Sequence, residues 1–212
     1  GGSPANVALT LGRLGRPVAL ATWFGADTLG RLIDFHMNDS GVYITPASRG
    51  ASHTSTALAR LDENGAASYT FDLEWAPAAP IEVPETAQIL EAGSISAIIE
   101  PGASAVLDAL ARGREHALVF FDPNARPSIM GEPAVALVSL ERFIALADVV
   151  KVSDEDIEWL TGGAPIDKVV DRWLRMGPSL VVVTRGKHGS DIATASGVRF
   201  TKTPGDVKVV DT

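Results

Sequence analysis

The sequence predicts an α/β fold, a doubly wound, mostly parallel sheet flanked by helices, with a small antiparallel β excursion. Three observations carry the prediction. Strand-length apolar runs recur along the chain, segments of helical periodicity separate them, and one stretch around an Asn-Gly pair has no helical period. Near-continuous apolar strands separated by helices are what a parallel sheet covered by helices requires.

The elements follow in order. "SPANVALTLGRLG" reads as a helix with Ser3 as N-cap, Pro4 at the first helical position and Gly15 at its end. "RPVALATWFG" at 16–25 is the first strand. Residues 53–73, "HTSTALARLDENGAASYTF" and its continuation, lack helical periodicity and predict two strands turning at Asn64-Gly65. The excursion spans roughly 43–75 and reads equally as a lid, a subunit contact or an edge extension. Pro77, Pro80 and Pro84 mark the return to the main domain. "AQILEAGS" (87–94), "HALVFFDPN" (116–124), "ADVVKVS" (147–153) and "SLVVVTRG" (179–186) are further strands, rich in Val, Ile, Leu or Phe. Helices fall between them on "EPGASAVLDALARG", "EPAVALVSLERFIALA" and "APIDKVVDRWLRMG". After 190 a second hairpin turns at Ser196-Gly197. The last residues, "VKVVDT", read as a strand ending in Asp211 and Thr212.

Composition narrows the function. The 212 residues carry 18 Lys and Arg against 26 Asp and Glu, a net charge of −8, which argues against a nucleic-acid partner needing a basic face. An anionic ligand remains compatible, because backbone N–H groups and a few cations hold phosphate locally. There is no Cys, which removes disulfides and thiolate metal sites and fits a reducing, cytoplasmic compartment. No apolar run reaches membrane-spanning length, so no membrane partner is expected.

Ligands in open α/β sheets bind beyond the carboxyl ends of the strands. Here those ends are Gly93-Ser94, Asp122-Pro123-Asn124-Ala125-Arg126, Lys151-Val152-Ser153, Thr184-Arg185-Gly186 and Asp211-Thr212. Strand ends are polar in any protein, but "DPNAR" places Asp, Asn and Arg at alternate residues directly after a buried strand. Neither GxxxxGK[ST], GxGxxG nor GxSxG occurs, and the four His (36, 53, 116, 188) lack metal-ligand spacing. Two glycine turns stand out. "GGSPAN" is either a close backbone approach to a ligand or a plain loop-to-helix junction. "TRGKHG" is either a phosphate cradle or a tight β-turn.

Taken together, "GGSPANVALTLGRLG", "GADTLG", "FFDPNARP", "VKVSDEDIEWLTG", "VVVTRGKHG" and the terminal "VVDT" resemble the ribokinase or PfkB family of sugar kinases. They occur in the family's order, and the first and third are spelled most like its fructokinase branch. The resemblance implies a ribokinase-like domain over 1–212, incomplete at both ends. The family's DTxGAGD, with its anion hole and base Asp, would begin at Asp211-Thr212, so the 212 residues alone are expected to be inactive.

The resemblance also implies an ATP-dependent transfer of the γ-phosphoryl group to a sugar hydroxyl, fructose first. Alternatives are 2-keto-3-deoxygluconate, ribose or a nucleoside, or a non-catalytic sugar- or nucleotide-binding regulator. Arg126 would act at the transferred phosphoryl group, where a guanidinium fork binds oxygens. Gly1, Gly2, Asn6 and Asp27 would bind the sugar. Asn124, Lys151, Ser153, Thr184, Gly186 and Gly189 would line the nucleotide side. The family's NxxE element falls on Ser153-Asp154-Glu155-Asp156, with Ser for Asn and the shorter Asp for Glu. Asp156 would reach Mg²⁺ through water, or the three acids form only a first helical turn favoured by the helix dipole. Asp211 would hold a monovalent cation such as K⁺. The implied partners are the sugar and ATP, with a second copy of the chain paired through the β lid.

Overall fold

The computed structural model of the chain describes residues 2–61, 67–78 and 80–205. These fall into two units, one running to residue 82 with 99–105, the other made of 83–98 and 106 onward.

The first unit begins with α1 (Ser3–Arg13), then β1 (Ala19–Leu20), β2 (Phe24–Gly25), α2 (Thr28–Asp39), β3 (Tyr43–Ile44) and β4 (Arg49–Ala51). Two longer strands follow, β5 (Thr56–Leu61) and β6 (Ala67–Asp72). β1 pairs with β3 and β2 with β4, both parallel, while β5 and β6 pair antiparallel from Thr56↔Asp72 to Leu61↔Ala67. The predicted hairpin is therefore present in its strands; the Asn64-Gly65 turn lies outside the described residues. Ala8, Leu20, Phe24, Met37, Val42 and Ile44 form a small core.

Two local expectations are corrected. The N-cap of α1 is Gly2, not Ser3, because Gly2 turns the chain at φ 96°, a conformation glycine adopts without Cβ strain. Pro4 accordingly sits second in the helix. The segment 16–25 is not one strand but β1 and β2, since the Thr22 N–H between them is taken by the Ser48 hydroxyl at 3.0 Å instead of a neighbouring strand.

The second unit holds β7 (Ile89–Gly93), most of α3 (Gly102–Gly113), β8 (Leu118–Asp122), the short α4 (Pro127–Met130), α5 (Pro133–Ile144), β9 (Val149–Ser153), α6 (Asp154–Thr161), α7 (Ile166–Leu174) and β10 (Leu180–Thr184). The predicted second hairpin is β11 (Ser190–Thr194) with β12 (Arg199–Lys202). They make one six-stranded sheet, order β12-β11-β10-β9-β8-β7. β7 to β10 are parallel and the last two antiparallel.

Alternation along these strands builds the core. Ala92, Val119, Phe121, Val150, Val152, Val181 and Val183 share one sheet face and pack with Leu110 of α3, Leu140, Phe143 and Ile144 of α5, Ile157 and Leu160 of α6, and Val169, Val170 and Trp173 of α7. Phe121 and Phe143 stack at 5.3 Å between centroids. Trp173 is fully buried, with its indole N–H donating to Glu141 at 3.2 Å. The other face of the sheet carries Glu91, Phe120, Asp122, Lys151 and Val182 at the alternate positions. Among the described residues no helix is long and apolar enough to cross a membrane.

Candidate functional site

The carboxyl ends of β7, β8, β9 and β10 lie side by side, since Gly93 is opposite Asp122, and Thr184 opposite Ser153. Gly93 must be small, because a Cβ there would overlap the Asp122 carbonyl. Beyond these ends lies a cleft of about 380 Å³ lined by Asn124, Ala125, Arg126, Pro127, Lys151, Ser153, Glu155, Asp156 and Trp159.

The Asp122–Arg126 turn is the centre of this cleft. Asn124 takes φ 37°, uncommon for a residue with a Cβ. Neighbouring groups fix it. The Asn124 N–H donates to Asp122 Oδ1 at 3.2 Å, and the Ser94 hydroxyl donates to the Asn124 carbonyl at 3.1 Å. The Ala125 N–H donates to Asp156 Oδ1 at 3.0 Å. Arg126 folds back on the same turn, its Nη1 donating to Asn124 Oδ1 at 2.9 Å and to the Ala125 carbonyl at 2.7 Å.

Lys151 reaches across from β9, Nζ to Asp122 Oδ2 at 3.1 Å. Burial pushes the Asp122 carboxyl above its usual range, and Lys151 draws it back. Glu91, two residues before Gly93, is raised to about 7 by burial and then by the charge of Asp122. This face of the sheet thus holds two acids and one ammonium in partial desolvation.

Ser153 caps α6. Its hydroxyl accepts the Asp156 N–H at 3.0 Å, while Asp156 Oδ2 receives the Ser153 N–H at 3.5 Å, a reciprocal capping box. The acidic turn Asp154–Asp156 is therefore a real helix start, and both oxygens of Asp156 already accept N–H groups. Among the described residues no group of three or more His, Asp or Glu gathers to hold a metal ion.

The "TRGKHG" loop sits one strand further. It is a tight turn, with N–H groups of Arg185, His188 and Gly189 bonded to carbonyls within the loop. Gly186 and Gly189 have φ 50° and 93°, and a Cβ at Gly189 would overlap the Lys202 carbonyl. Thr184 donates to the Val152 carbonyl at 3.4 Å. Arg185 pairs with Asp191 at 3.0 Å and approaches Asp154 at 3.9 Å, linking the loop to the start of α6. The structure thus gathers Asn124, Arg126, Lys151, Ser153 and Asp156 in one cleft and leaves Thr184, Gly186 and Gly189 outside its lining.

The expected sugar residues belong to the first unit. Gly2 opens α1, and Asn6 stands exposed one turn in, its N–H bonded to the Gly2 carbonyl at 3.0 Å. Asp27 ties the start of α2 to Thr54. Its Oδ1 caps α2 through the Gly30 N–H at 2.8 Å and accepts the Thr54 hydroxyl at 2.7 Å, and its Oδ2 accepts the Thr54 N–H at 2.8 Å. The Gly30 amide, then Thr54, pull its pKa down to about 2. Gly1 and Asp211 lie outside the described residues.

Sequence reading missed Trp159 and Glu155 in the cleft lining, and the tie between Arg185 and Asp154. The first two sit on α6 at positions that turn toward the cleft, which the "DEDIEW" spacing carries once the helix start is known. The third joins residues 31 apart in sequence, and no local pattern marks it.

Comparison with known proteins bears on the family and the fold. Residues 1–212 match the family described as pfkB family carbohydrate kinase. A fructokinase of Rhizobium leguminosarum bv. trifolii is 32% identical over 100% of the chain and 66% of its own length. One of Klebsiella pneumoniae is 34% identical over 91% and 66%. The chain therefore spans just under two thirds of these relatives. Among solved structures, fructokinase from Vibrio cholerae O395 in a fructose-, ADP- and calcium-bound form is similar with a TM-score of 0.83. It is 30% identical, over 100% of this chain and 71% of that one. Aminoimidazole riboside kinase from Salmonella enterica, bound to aminoimidazole riboside and an ATP analogue, gives 0.81 at 26% identity over the same shares. The chain belongs to the pfkB family of carbohydrate kinases.

Proposed function

We propose that the protein carrying this chain is an ATP-dependent sugar kinase that transfers the γ-phosphoryl group to a hydroxyl of fructose. The observation that carries the reading is the cleft at the strand ends, where Arg126, Lys151 and Asn124 converge. Phosphoryl transfer is mostly positioning and electrostatic stabilisation, and this cleft offers two cations and an amide on a turn held by three hydrogen bonds. On nucleotide binding, Arg126 exchanges its contacts with its own turn for phosphoryl oxygens. Lys151 balances charge beside it. Asn124, Ser153, Thr184, Gly186 and Gly189 form the nucleotide side; Gly1, Gly2 and Asn6 form the sugar side, with Asp27 setting the loop behind it. Mg²⁺ enters on the nucleotide as part of the substrate, and K⁺ at Asp211 completes the set. The enzyme is cytoplasmic and pairs two copies through the β5–β6 hairpin. Exposed Leu58 and Tyr69, and the stacked Tyr69–Phe71 pair, support that pairing.

A riboside as acceptor is the second reading, favoured by the likeness to the aminoimidazole riboside kinase. The test is ATP-dependent phosphorylation of fructose, ribose, 2-keto-3-deoxygluconate and aminoimidazole riboside. Highest kcat/KM with fructose supports the first reading and with the riboside the second. Binding of sugar and ATP without turnover would replace both with a non-catalytic regulator. Within the kinase reading, Arg126→Lys is expected to lose most turnover, because a point charge does not reproduce the guanidinium fork. A near-normal kcat for that variant removes Arg126 from phosphoryl transfer.

A further inference from the structure

We infer that Asp156 is a positioning residue, whose carboxylate straps the Asn124–Arg126 turn in place and is not spent on a metal ion. The inference rests on the kinase reading for the purpose of the strap, but not for the strap itself.

Four observations support it. Asp156 Oδ1 accepts the Ala125 N–H at 3.0 Å, a contact between groups 31 residues apart that joins the end of β8 to the start of α6. Ala125 is only 6% exposed, so without that acceptor its amide would be buried and unpaired, which is costly. The turn it holds contains Asn124 at positive φ, a conformation that persists only when surrounding contacts determine it. Asp122 and Ser94 hold the Asn124 N–H and carbonyl, and Asp156 supplies the next bond along the chain. Arg126 follows directly, so the direction in which its side chain leaves the backbone depends on the Ala125 peptide. The capping box fixes the other end of the strap, because Asp156 Oδ2 is turned to the Ser153 amide. A short side chain suits this task, since it keeps the carboxylate close to the helix end where the dipole also favours it.

The role separates charge from hydrogen bonding. Asp156→Asn keeps one oxygen for the Ala125 amide and loses the charge and the weaker bond from the Ser153 N–H; Asp156→Ala loses all three. Amide hydrogen exchange at Ala125 is measured by NMR in the protein that carries this chain, with ATP affinity followed against Mg²⁺ concentration. Exchange is expected to quicken at least ~10-fold in Asp156→Ala and to stay within a few-fold of the parent in Asp156→Asn. The Mg²⁺ concentration giving half-maximal ATP binding should be unchanged in Asp156→Asn. In turnover, Asp156→Ala should lower kcat by ~10–10²-fold with sugar KM unaltered, as a misplaced Arg126 requires, and Asp156→Asn should restore most of it.

Unchanged Ala125 exchange in Asp156→Ala overturns the strap. A tenfold higher Mg²⁺ requirement in Asp156→Asn overturns it in favour of a metal role. If Asp156→Ala does not fold, Asp156→Ser, whose hydroxyl keeps the helix start polar but is too short to reach the Ala125 amide, gives the same exchange readout. A parent protein that binds no ATP yet shows the exchange effect supports the strap and overturns the kinase reading instead.

Discussion

Phe24–Gly25 in the first unit and Val149–Ser153 in the second are both apolar, parallel strands, yet they are held by different means. The first pairs with Arg49–Ala51 over two register positions only, with an irregularity between them. What fixes it is a set of side-chain oxygens. Thr54 accepts the Gly25 N–H at 3.2 Å and is itself tied to Asp27. Nearby, Glu74 accepts the Trp23 indole at 2.9 Å and the Ser52 amide at 3.1 Å. The second strand has ladders on both sides and buries Val150 and Val152 completely. Where a ladder is too short to satisfy the backbone, the buried Thr54 hydroxyl and half-exposed carboxylates take its place. Such a region is sensitive to single polar substitutions and to acid, whereas the second unit is sensitive to lost volume.

Trp173→Ala sharpens the contrast most. The side chain is fully buried in the second core, and removing it should cost about 3–5 kcal/mol by cavity formation. Urea unfolding of the variant reads this, and a loss below 1 kcal/mol would show that the second unit is not volume-limited.

Glu91→Gln tests the polar face of the same sheet. Its folded pKa of about 7 lies above the unfolded value near 4.5. Between those values the folded state keeps a proton that the unfolded chain releases, so stability falls as pH rises through that window and the deficit is complete above pH 7. The Gln variant should be more stable at pH 8, on the order of 1–3 kcal/mol, and should lose that advantage below pH 4.5. An unaltered slope of stability between pH 4.5 and 7 would remove Glu91 as its source.

Ser153→Ala removes the cap of α6 and should cost about 1 kcal/mol. Ser153→Asp, which keeps an acceptor at that position, should recover most of it in the same thermal melt; no recovery would mean that the hydroxyl acts other than as a cap.

The smallest effect is expected at Asp27, half-exposed in the first unit. Its depressed pKa contributes stability that is present above about 3.8 and lost as pH falls toward 2. Asp27→Asn should flatten that acid limb when followed at the Trp23 indole N–H by NMR, being less stable than the parent at pH 7 with the difference closing as pH falls toward 2. An acid limb identical in both would place the acid sensitivity elsewhere, with Glu74 the next carboxylate to change.

Much of this architecture could be read before any coordinates. The strands 89–93, 118–122, 149–153 and 180–184 stand within the predicted runs, because β-branched and aromatic residues fit a pleated, buried surface wherever they occur together. The strands of both hairpins were legible from the loss of helical periodicity beside Asn-Gly and Ser-Gly pairs. Helix α2 was not, since Leu29, Leu32 and Phe35 remain exposed and blur the apolar stripe that marks a helix. The break between β1 and β2 depends on the Ser48 hydroxyl, 26 residues away from the amide it satisfies.

What the sequence alone determined is therefore the order and type of most elements, the family, and the residue types gathered at the strand ends. These rest on short-range periodicity and on motifs whose spacing is local. Only the tertiary structure decided what the polar groups do. Asp27 caps a helix and accepts from Thr54, Asp156 holds a backbone amide, and Arg126 rests on its own turn. A carboxylate is the same residue in each role. Which N–H comes within 3 Å of it is set by how distant segments fold together, and no local pattern in the chain encodes that meeting.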